Sequence, residues 1–535
     1  MKTNKKDLGG VTRRDFLCLS GLGMAGMALM GVPELSQAAE KKPKYGGIIR
    51  HGPRYVGKGL DAHKNLEFDE YLYHSLMYGA LTEQGKPPQV RIHPSLAKSW
   101  EISNDGREFT FFLREGVKFH HGKELDSGDV KYSIERVMNP ATRSPRAFAF
   151  KWVDSVRILD KYQVMIRLKE PFAPFLTSLT LNNCPIIPAG WQPAVMKPAP
   201  GTGPFVFKSF VPNETFEASR FDQYWEVDEK TGDRLPYLDG VHLKKIVDEN
   251  VRWTALRAGD IDITSGPPPK IVAEVALGKP VPGIFVDYDM PGNRVLWFNV
   301  TKPPFDNKKV RQAVAHALNK KEIVKAVFWG LGEILNNQPF LKESPFYIPV
   351  KDRDQDIAIA KQLLAEGGYP GGFNTEFVQS SLSQYVAGAE VVIGQLQKIG
   401  IKGTMKIADR AAYSTFMRKG EFNISVFGYD ERYDWDDAYY MYFHSDEVGK
   451  NNWSRYKNKE LDTLLEKGRT TWKMEDRSPI YRKVMDILME DLPGLYLHKS
   501  LVGVALRDYV KGFRKGFSTR FAWHGGGIKY WWLDK

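Results

Sequence analysis

Hydrophobic residues recur along the chain with the period of strands in some stretches and of helices in others. Phe109, Phe111 and Leu113 occupy alternate positions, which predicts a strand with one face more buried than the other. A short strand is also predicted over 46–50, ahead of a turn rich in glycine and proline. Between residues 130 and 138, apolar side chains recur at helical spacing. Helices and strands are therefore mixed from early in the chain.

The second half of the chain shows this alternation more clearly. Asn319 followed by Glu322 predicts the start of a helix, and Gly330 predicts its end. The apolar face of that helix consists of Ile323, Val324, Val327 and Phe328. A further helix is predicted over 389–396 and a strand over 422–427. Such alternation is typical of an α/β sheet with crossover helices.

The N-terminus carries an apolar stretch over 16–32 that is interrupted by four glycines, which is weak for a membrane-spanning helix. It follows the pair Arg13 and Arg14 and leads into small residues that end at Ala38. This arrangement resembles a twin-arginine export signal, which a translocase for folded proteins recognises. We therefore predict that residues 1–38 are a signal peptide cleaved near Ala38, and that the mature protein is soluble and periplasmic. An uncleaved anchor helix is the alternative.

The composition restricts which partners the protein can bind and whether it can form a disulfide bond. The chain has a formal net charge of +12, and about +10 remains without the predicted signal peptide. Its basic residues are dispersed, and no zinc-finger or RNA-binding motif is present, so we expect no nucleic-acid partner. An anionic solute and an acidic envelope surface both remain open. Removal of Cys18 would leave Cys184 alone, which excludes an intrachain disulfide and predicts a buried, inert thiol.

Motifs for enzymes and metal sites are weak or absent. The stretch 201–204 has two glycines but lacks the lysine of a phosphate-binding loop, so we expect a structural turn. Neither a nucleophile elbow nor a zinc-protease motif is present, and we predict no catalytic residues. The pair His120 and His121 would need further ligands to hold a metal. No cofactor is expected.

Carboxylates and aromatic residues are interleaved over 429–440. Asp430, Asp434, Asp436 and Asp437 could supply an acid–base pair or a hard-cation site. The aromatic residues between them are more typical of a surface that grips a ligand. A solvated acidic loop with core aromatics remains an equal alternative.

Several linear blocks carry a family resemblance. They are the blocks 94–101, 104–106, 109–120, 201–205, 224–225, 296–299, 304–305, 310–313, 360–370 and 399–401. Together they resemble the signature of the family 5 extracellular solute-binding proteins, which include oligopeptide, dipeptide and nickel receptors. The resemblance runs from Tyr45 to the C-terminus and keeps the family's order of blocks.

This resemblance implies an α/β, two-lobed, type II periplasmic-binding-protein fold with an extra subdomain on the first lobe. The chain would cross between lobes near Asn293 and Leu501. The implied boundaries are 39–70, 198–292 and 502–535 for lobe I, 71–197 for the subdomain and 293–501 for lobe II. The resemblance also implies a monomeric receptor that closes on a peptide-like, amine-bearing solute and delivers it to an ABC importer permease.

The resemblance further suggests residues that contact the solute. Asp434 corresponds best to the aspartate that pairs with the ligand's amino group in peptide-binding relatives, and Asp430 is its rival because the spacing is unusual. Tyr429 and Trp435 would cover the solute.

The predicted binding set continues outside this segment. Arg54 and Tyr55, in the loop after the first strand, would face the solute from the other lobe, and Tyr385 lies in the loop 379–385. That loop lacks the arginine that dipeptide receptors use for the ligand carboxylate, which argues against a plain dipeptide.

Two other functions compete with the peptide receptor. A nickel or metallophore receptor of the same family is suggested by four histidines, His51, His120, His121 and His444. A secreted enzyme is the more remote alternative, since no catalytic motif supports it.

The export signal can be tested directly. Replacing Arg13 and Arg14 with lysine should leave precursor in the cytoplasm, because the translocase recognises the guanidinium pair. Replacing Lys5 and Lys6 with arginine is the matched control and should not change export. Immunoblots of cell fractions measure both, and normal export of the Arg13/Arg14 variant would indicate the general secretory route.

Overall fold

The computed structural model describes residues 42–65, 68–84, 92–180, 184–192, 197–430, 432–513 and 527–535. The predicted signal peptide, with Arg13, Arg14 and Cys18, lies outside the described residues. Within the described ranges, no helix combines the length and the apolar character needed to cross a membrane.

Strands occur throughout the described part of the chain. They are β1 (Ile48–Gly52), β2 (Thr82–Gln84), β3 (Ile92–Pro94), β4 (Ala97–Ile102), β5 (Glu108–Leu113), β6 (Val153–Asp160), β7 (Gln163–Leu168), β8 (Phe205–Val211), β9 (Thr215–Arg220), β10 (Gly240–Lys244), β11 (Ile263–Ser265), β12 (Ile284–Phe298), β13 (Phe373–Ser380), β14 (Ile401–Ala408), β15 (Ile424–Asp430), β16 (Gly494–Arg507), β17 (Val510–Lys511) and β18 (Trp532–Leu533).

Helices alternate with these strands. They are α1 (Phe68–Met77), α2 (Ser127–Met138), α3 (Phe175–Ser178), α4 (Glu249–Ala258), α5 (Pro269–Ala276), α6 (Lys308–Ala317), α7 (Lys320–Phe328), α8 (Ile357–Glu366), α9 (Ser383–Leu396), α10 (Arg410–Lys419), α11 (Met441–Phe443), α12 (Lys459–Thr470) and α13 (Met474–Asp491).

A ten-stranded sheet dominates the fold, with the order β14-β13-β15-β12-β16-β11-β1-β10-β9-β8. Parallel pairs join β1 to β10 and β11, and β13 to β14. The central pair, β12 and β16, is antiparallel. Helices connect many of these strands, so the predicted α/β class is confirmed.

The two central strands are long and irregular. The register between β12 and β16 shifts between Asp289 and Gly292. Before the shift, residues 284–289 of β12 pair with residues 502–507 of β16. That part of β16 also pairs with β11 on its other side. After it, β12 pairs with β15 on its other side. The predicted lobe crossings at Asn293 and Leu501 lie beside this irregularity, whereas the lobe boundaries themselves stay a prediction.

Separate hydrophobic cores lie on the two sides of this irregularity. One contains Ile49, Phe205 and Leu243, and another contains Leu296 and Phe305. The residues of each core contact one another but belong to separate clusters. Apolar contacts within each core therefore stabilise its own side of the sheet.

A four-stranded sheet, β4-β5-β7-β6, forms a third core within the predicted subdomain. Phe109, Phe111 and Leu113 are fully buried there, which confirms the predicted strand face. Cys184 packs in the same core, and burial raises the pKa of its thiol. The thiol is therefore buried as expected.

The predicted helix 389–396 begins earlier, since α9 starts at Ser383, so Tyr385 lies in its first turn and not in the predicted loop 379–385. The start of α7 agrees with its local signal. The Asn319 side chain accepts a hydrogen bond from the Glu322 backbone N–H at 3.1 Å and caps α7. The helix ends at Phe328, because Trp329 already adopts a left-handed conformation with φ of 53°. The predicted strand at 422–427 is displaced: β15 starts at Ile424 and continues to Asp430.

The glycines at 201–204 serve close packing of the backbone. A Cβ at Gly201 would lie 1.8 Å from the Met77 carbonyl oxygen, and one at Gly203 would lie 2.6 Å from that of Leu76. The Gly203 N–H donates to the Met77 carbonyl at 2.9 Å. The segment is thus a structural turn held against the end of α1, as predicted.

Candidate functional site

A cavity of about 870 Å³ lies beside the irregularity in β12 and β16. Its walls come from segments on both sides of that irregularity. One wall includes the loop after β1, residues of α1, the start of α4 and the loop after β11. The other includes Arg294 of β12, the loop after β13, the start of α10 and the end of β15. The volume is in the range that encloses a small solute.

Tyr55 connects the two walls. The Arg54 guanidinium carbon lies 5.2 Å from the centroid of the Tyr55 ring, and that of Arg410 lies 5.3 Å from it. Arg54 and Tyr55 follow β1, whereas Arg410 begins α10, so residues remote in sequence meet at this point. Arg54 and Tyr55 both line the cavity, and their contact with a solute stays a prediction.

Tyr385 and Arg294 form the opposite part of the lining. The Arg294 guanidinium carbon lies 4.5 Å from the centroid of the Tyr385 ring, within cation–π distance. Its Nη2 donates to Gln384 Oε1 at 3.0 Å. Gly428 leaves room for this side chain, since a Cβ there would lie 2.7 Å from Arg294 Nη1. Burial raises the pKa of the Tyr385 phenol, and the Arg294 charge opposes that shift.

The last two residues of β15, Tyr429 and Asp430, both line the cavity but differ in solvent exposure. Tyr429 is 8% exposed, stacks on Tyr442 with ring centroids 4.1 Å apart, and shares a hydroxyl hydrogen bond with Tyr496. Asp430 follows it, is half-buried, and also lines the cavity. Tyr429 thus supports the wall, and Asp430 offers a carboxylate at its surface.

Asp434 and Trp435 lie elsewhere. Both carboxylate oxygens of Asp434 accept hydrogen bonds from Arg477, at 2.8 and 2.6 Å, and Arg477 is 4% exposed. The indole of Trp435 is 1% exposed and stacks on Tyr481 at 4.8 Å. Neither residue lines the cavity, because α13 supplies a buried partner for each.

The neighbouring carboxylates are also buried. Asp436 receives hydrogen bonds from Arg469 at 3.0 and 3.1 Å. Asp437 accepts backbone hydrogen bonds from Tyr433 and Asp434, and burial raises the pKa of its carboxyl to about 7 while Arg432 opposes that shift. The segment is therefore neither a solvated loop nor a row of ligand-facing acids: it is a buried ionic network next to the cavity.

Four arginines of the cavity were not predicted from the sequence as binding residues. They are Arg252 of α4, Arg294 of β12, Arg410 of α10 and Arg432, which follows β15. Arg294 lies in the central strand β12, which also contains Asp287 and Asp289, so its charge alone does not single it out. Arg252 and Arg410 occupy amphipathic helices, where an arginine is ordinary, so periodicity gives no reason to select them.

The histidines of the metal alternative lie apart from one another. His51 contacts the Ser265 hydroxyl at 3.0 Å, and His120 contacts the Gly203 carbonyl at 3.0 Å. His444 stacks on Tyr440 with centroids 4.1 Å apart, and His121 lies near Trp191 at 6.1 Å. Over the described ranges, no cluster of three or more histidine, cysteine or acidic residues has a geometry that could hold a metal ion.

Comparison with known proteins agrees with this architecture. The family profile described as "Bacterial extracellular solute-binding proteins, family 5 Middle" matches residues 91–451, well over half of the chain. The chain belongs to this family. Family 5 proteins are solute-binding receptors of ABC importers, and the cavity lies where two groups of elements face each other.

Individual relatives cover most of the chain. It is 31% identical over 471 residues to heme-binding protein A of Haemophilus influenzae, which spans 82% of this chain and 84% of that protein. The periplasmic binding protein DppA from Helicobacter pylori, solved with the peptide STSA, has a TM-score of 0.77 and 27% identity, over 92% of this chain and 99% of that one. AgaA from A. tumefacien R10, solved with agropinic acid, has a TM-score of 0.76 and 28% identity, over 91% and 99%. The predicted type II periplasmic-binding-protein fold is confirmed.

The placement of Asp434 leads to a stability prediction. Asp434→Asn should lower the free energy of unfolding by about 3–5 kcal/mol, because it leaves the buried Arg477 without its counter-ion. Asp446→Asn is the matched control in the same region: its side chain is 77% exposed, and it should change stability by less than about 0.5 kcal/mol. Urea unfolding of the ligand-free protein measures both. Unchanged stability of Asp434→Asn would contradict the structural role.

Proposed function

We propose that the chain is the periplasmic receptor of an ABC importer and that it captures a peptide or peptide-like, amine-bearing solute. The single observation that supports this most is the two-sided cavity, in which Arg54 and Tyr55 face Arg410, Tyr385 and Asp430. A solute bound there would contact both walls at once, which favours the closed form. The relatives solved with a peptide and with agropinic acid support this solute class.

In this proposal the two lobes keep the boundaries given above and move about the irregular strands β12 and β16. A monomer suffices, since both walls come from one chain. The solute leaves chemically unchanged, and the importer permease recognises the closed receptor. Export through the twin-arginine translocase, with cleavage near Ala38, would bring the folded protein to the periplasm.

Asp430 holds the solute's ammonium group in this proposal. It lies at the end of β15 and lines the cavity, whereas Asp434 does not line it. Tyr385, Tyr55 and Tyr429 supply apolar and hydroxyl contacts around it. Trp435 does not contact the solute in this proposal. It packs the segment after Asp430 against α13.

The nickel or metallophore receptor is the second candidate. The described residues that line the cavity include guanidinium, carboxylate and phenol groups but neither imidazole nor thiol. Direct ligation of a soft or borderline metal usually uses imidazole or thiolate, so the lining favours an organic solute. Thermal-shift screening against peptides, opine-like conjugates, sugars and nickel complexes compares these candidates in one experiment.

The role of Asp430 can be measured with one peptide in two forms. The wild-type protein should bind a peptide with a free amino terminus more tightly than its N-acetylated form, by about 2–5 kcal/mol, or about 30-fold to several-thousand-fold. Asp430→Asn should abolish that preference, because the variant lacks the carboxylate that pairs with the ammonium. Titration calorimetry gives the affinities.

The acetylated peptide is the internal control, and its affinity should be the same for both proteins. Asp446→Asn, on the exposed surface of the same segment, should keep the full preference. Equal binding of the two peptide forms by the wild-type protein would contradict the ammonium site.

A further inference from the structure

The corner 469–473, where α12 ends and α13 begins, packs against the predicted subdomain. The ring of Trp472 meets that of Phe109 of β5 edge to face, with centroids 5.7 Å apart and an interplanar angle of 85°. Gly106, in the turn between β4 and β5, leaves room for the indole, since a Cβ there would lie 2.7 Å from Trp472 Cδ2. Trp472 thus packs against the core of the four-stranded sheet, although it is remote from that sheet in the sequence.

Arg469, in the same corner, makes a second contact with the subdomain. Its carbonyl accepts a hydrogen bond from the Ala173 N–H at 3.0 Å. Its guanidinium carbon lies 5.7 Å from the centroid of the Trp152 ring and 5.6 Å from that of Phe172, within cation–π distance of both. The two rings stack on each other with centroids 5.4 Å apart. We call the whole contact the clasp; it consists of Gly106, Phe109, Trp152, Phe172 and Ala173 of the subdomain with Arg469 and Trp472 of the corner.

The clasp is connected to the wall of the cavity through Arg469. The Arg469 Nε and Nη2 donate to the two carboxylate oxygens of Asp436 at 3.0 and 3.1 Å. The guanidinium carbon also lies 3.4 Å from the centroid of the Tyr440 ring, and Arg469 is only 5% exposed. Asp436 and Tyr440 belong to the segment that follows Asp430, which lines the cavity. The same buried side chain therefore contacts both the subdomain and the segment beside the cavity.

The clasp joins parts of the chain that the proposed boundaries assign to different lobes. Phe109 and Trp152 lie in the subdomain on lobe I, whereas Trp472 lies in lobe II. Movement of the lobes about β12 and β16 would separate these side chains and expose their apolar surface to water, which is unfavourable. Among the described residues that line the cavity, none belongs to the clasp. The clasp can therefore favour closure without contacting a solute.

We propose that the subdomain acts as a closure device: it binds the corner 469–473 when the lobes close and releases it when they open. The contact stabilises the closed form by the same amount whichever solute is bound, so the subdomain adjusts overall affinity and the cavity determines selectivity. This inference rests on the proposed function, because it requires two lobes that move relative to each other.

The distance between the lobes tests the clasp directly. Spin labels at Thr254→Cys of α4 and Lys419→Cys of α10 report this distance by pulsed electron paramagnetic resonance, since both positions are exposed and Cys184 is buried. Trp472→Ala should shift the solute-free protein toward longer distances, and the variant should need about tenfold more peptide to reach the short distance. Trp472→Phe retains an aromatic ring against the subdomain and should shift less.

Trp329→Ala is the matched control for these distances, because Trp329 also lies in the proposed lobe II but is 47% exposed. It should leave the distribution unchanged. Identical distributions for the wild-type protein and Trp472→Ala, both without solute and throughout the peptide titration, would overturn the clasp alone. A single distance in the wild-type protein that no peptide changes would overturn lobe closure itself, and the proposed function with it.

Affinities separate the clasp from the cavity. Trp472→Ala should weaken binding of a peptide with a free amino terminus and of its N-acetylated form by the same factor, about tenfold, because the closed fraction falls for both. Titration calorimetry measures the two affinities, and circular dichroism establishes that the variant is folded. Loss of the preference between the two peptides in this variant would contradict a clasp that acts independently of the cavity.

Radical footprinting examines the clasp in the wild-type protein, where no substitution can disturb folding. Hydroxyl radicals should oxidise Trp472 less when a peptide that shortens the label distance is bound, because closure covers the indole. Trp329 should be oxidised equally in both states. Equal oxidation of Trp472 with and without that peptide would show that the contact persists on opening, which would contradict the closure device.

Discussion

A buried charge must find an opposite charge, and this constraint governs the centre of the protein. In the segment after β15 the constraint is met internally: Asp434 pairs with Arg477, and Asp436 pairs with Arg469. On the cavity wall, the described hydrogen bonds of Arg252 and Arg294 go to neutral oxygens. The internal pairing thus makes the segment after β15 a rigid support for the neighbouring cavity wall.

The rigid support and the site are connected through β12, β15 and β16. Asp430 pairs in register with Gly292, beside the shift in the β12–β16 ladder, and Ser500 of β16 lies opposite the same glycine. The carboxylate proposed to bind the solute therefore lies at the point where β12 begins to pair with β15. A solute that contacts both walls would stabilise one relative position of the two groups of elements, which is how binding and closure are coupled.

Much of the fold could be predicted from the sequence, because its signals are local. Periodicity identifies the buried face of β5, and the Asn319 cap identifies the start of α7 to the residue. The family blocks supply the global arrangement that periodicity does not. Strand ends were less accurate, as β15 shows, because pairing with β12 extends it to Asp430.

The lining of the cavity could be predicted only in part, for a physical reason. Arg54, Tyr55, Tyr385, Tyr429 and Asp430 all line the cavity. Asp434 corresponds best to the family pattern in sequence and Trp435 follows it, but their partners Arg477 and Tyr481 lie on α13, more than forty residues further along. Whether a carboxylate faces a solute or a buried arginine depends on that distant helix, and no local pattern reveals it.

The most direct test is a crystal structure of the mature protein with an amine-bearing peptide. The account predicts that the peptide occupies the cavity and contacts both of its walls, with its ammonium at Asp430. The Asp434–Arg477 pair should remain intact. A peptide bound outside this cavity, or an ammonium held by Asp434 with Arg477 displaced, would contradict it.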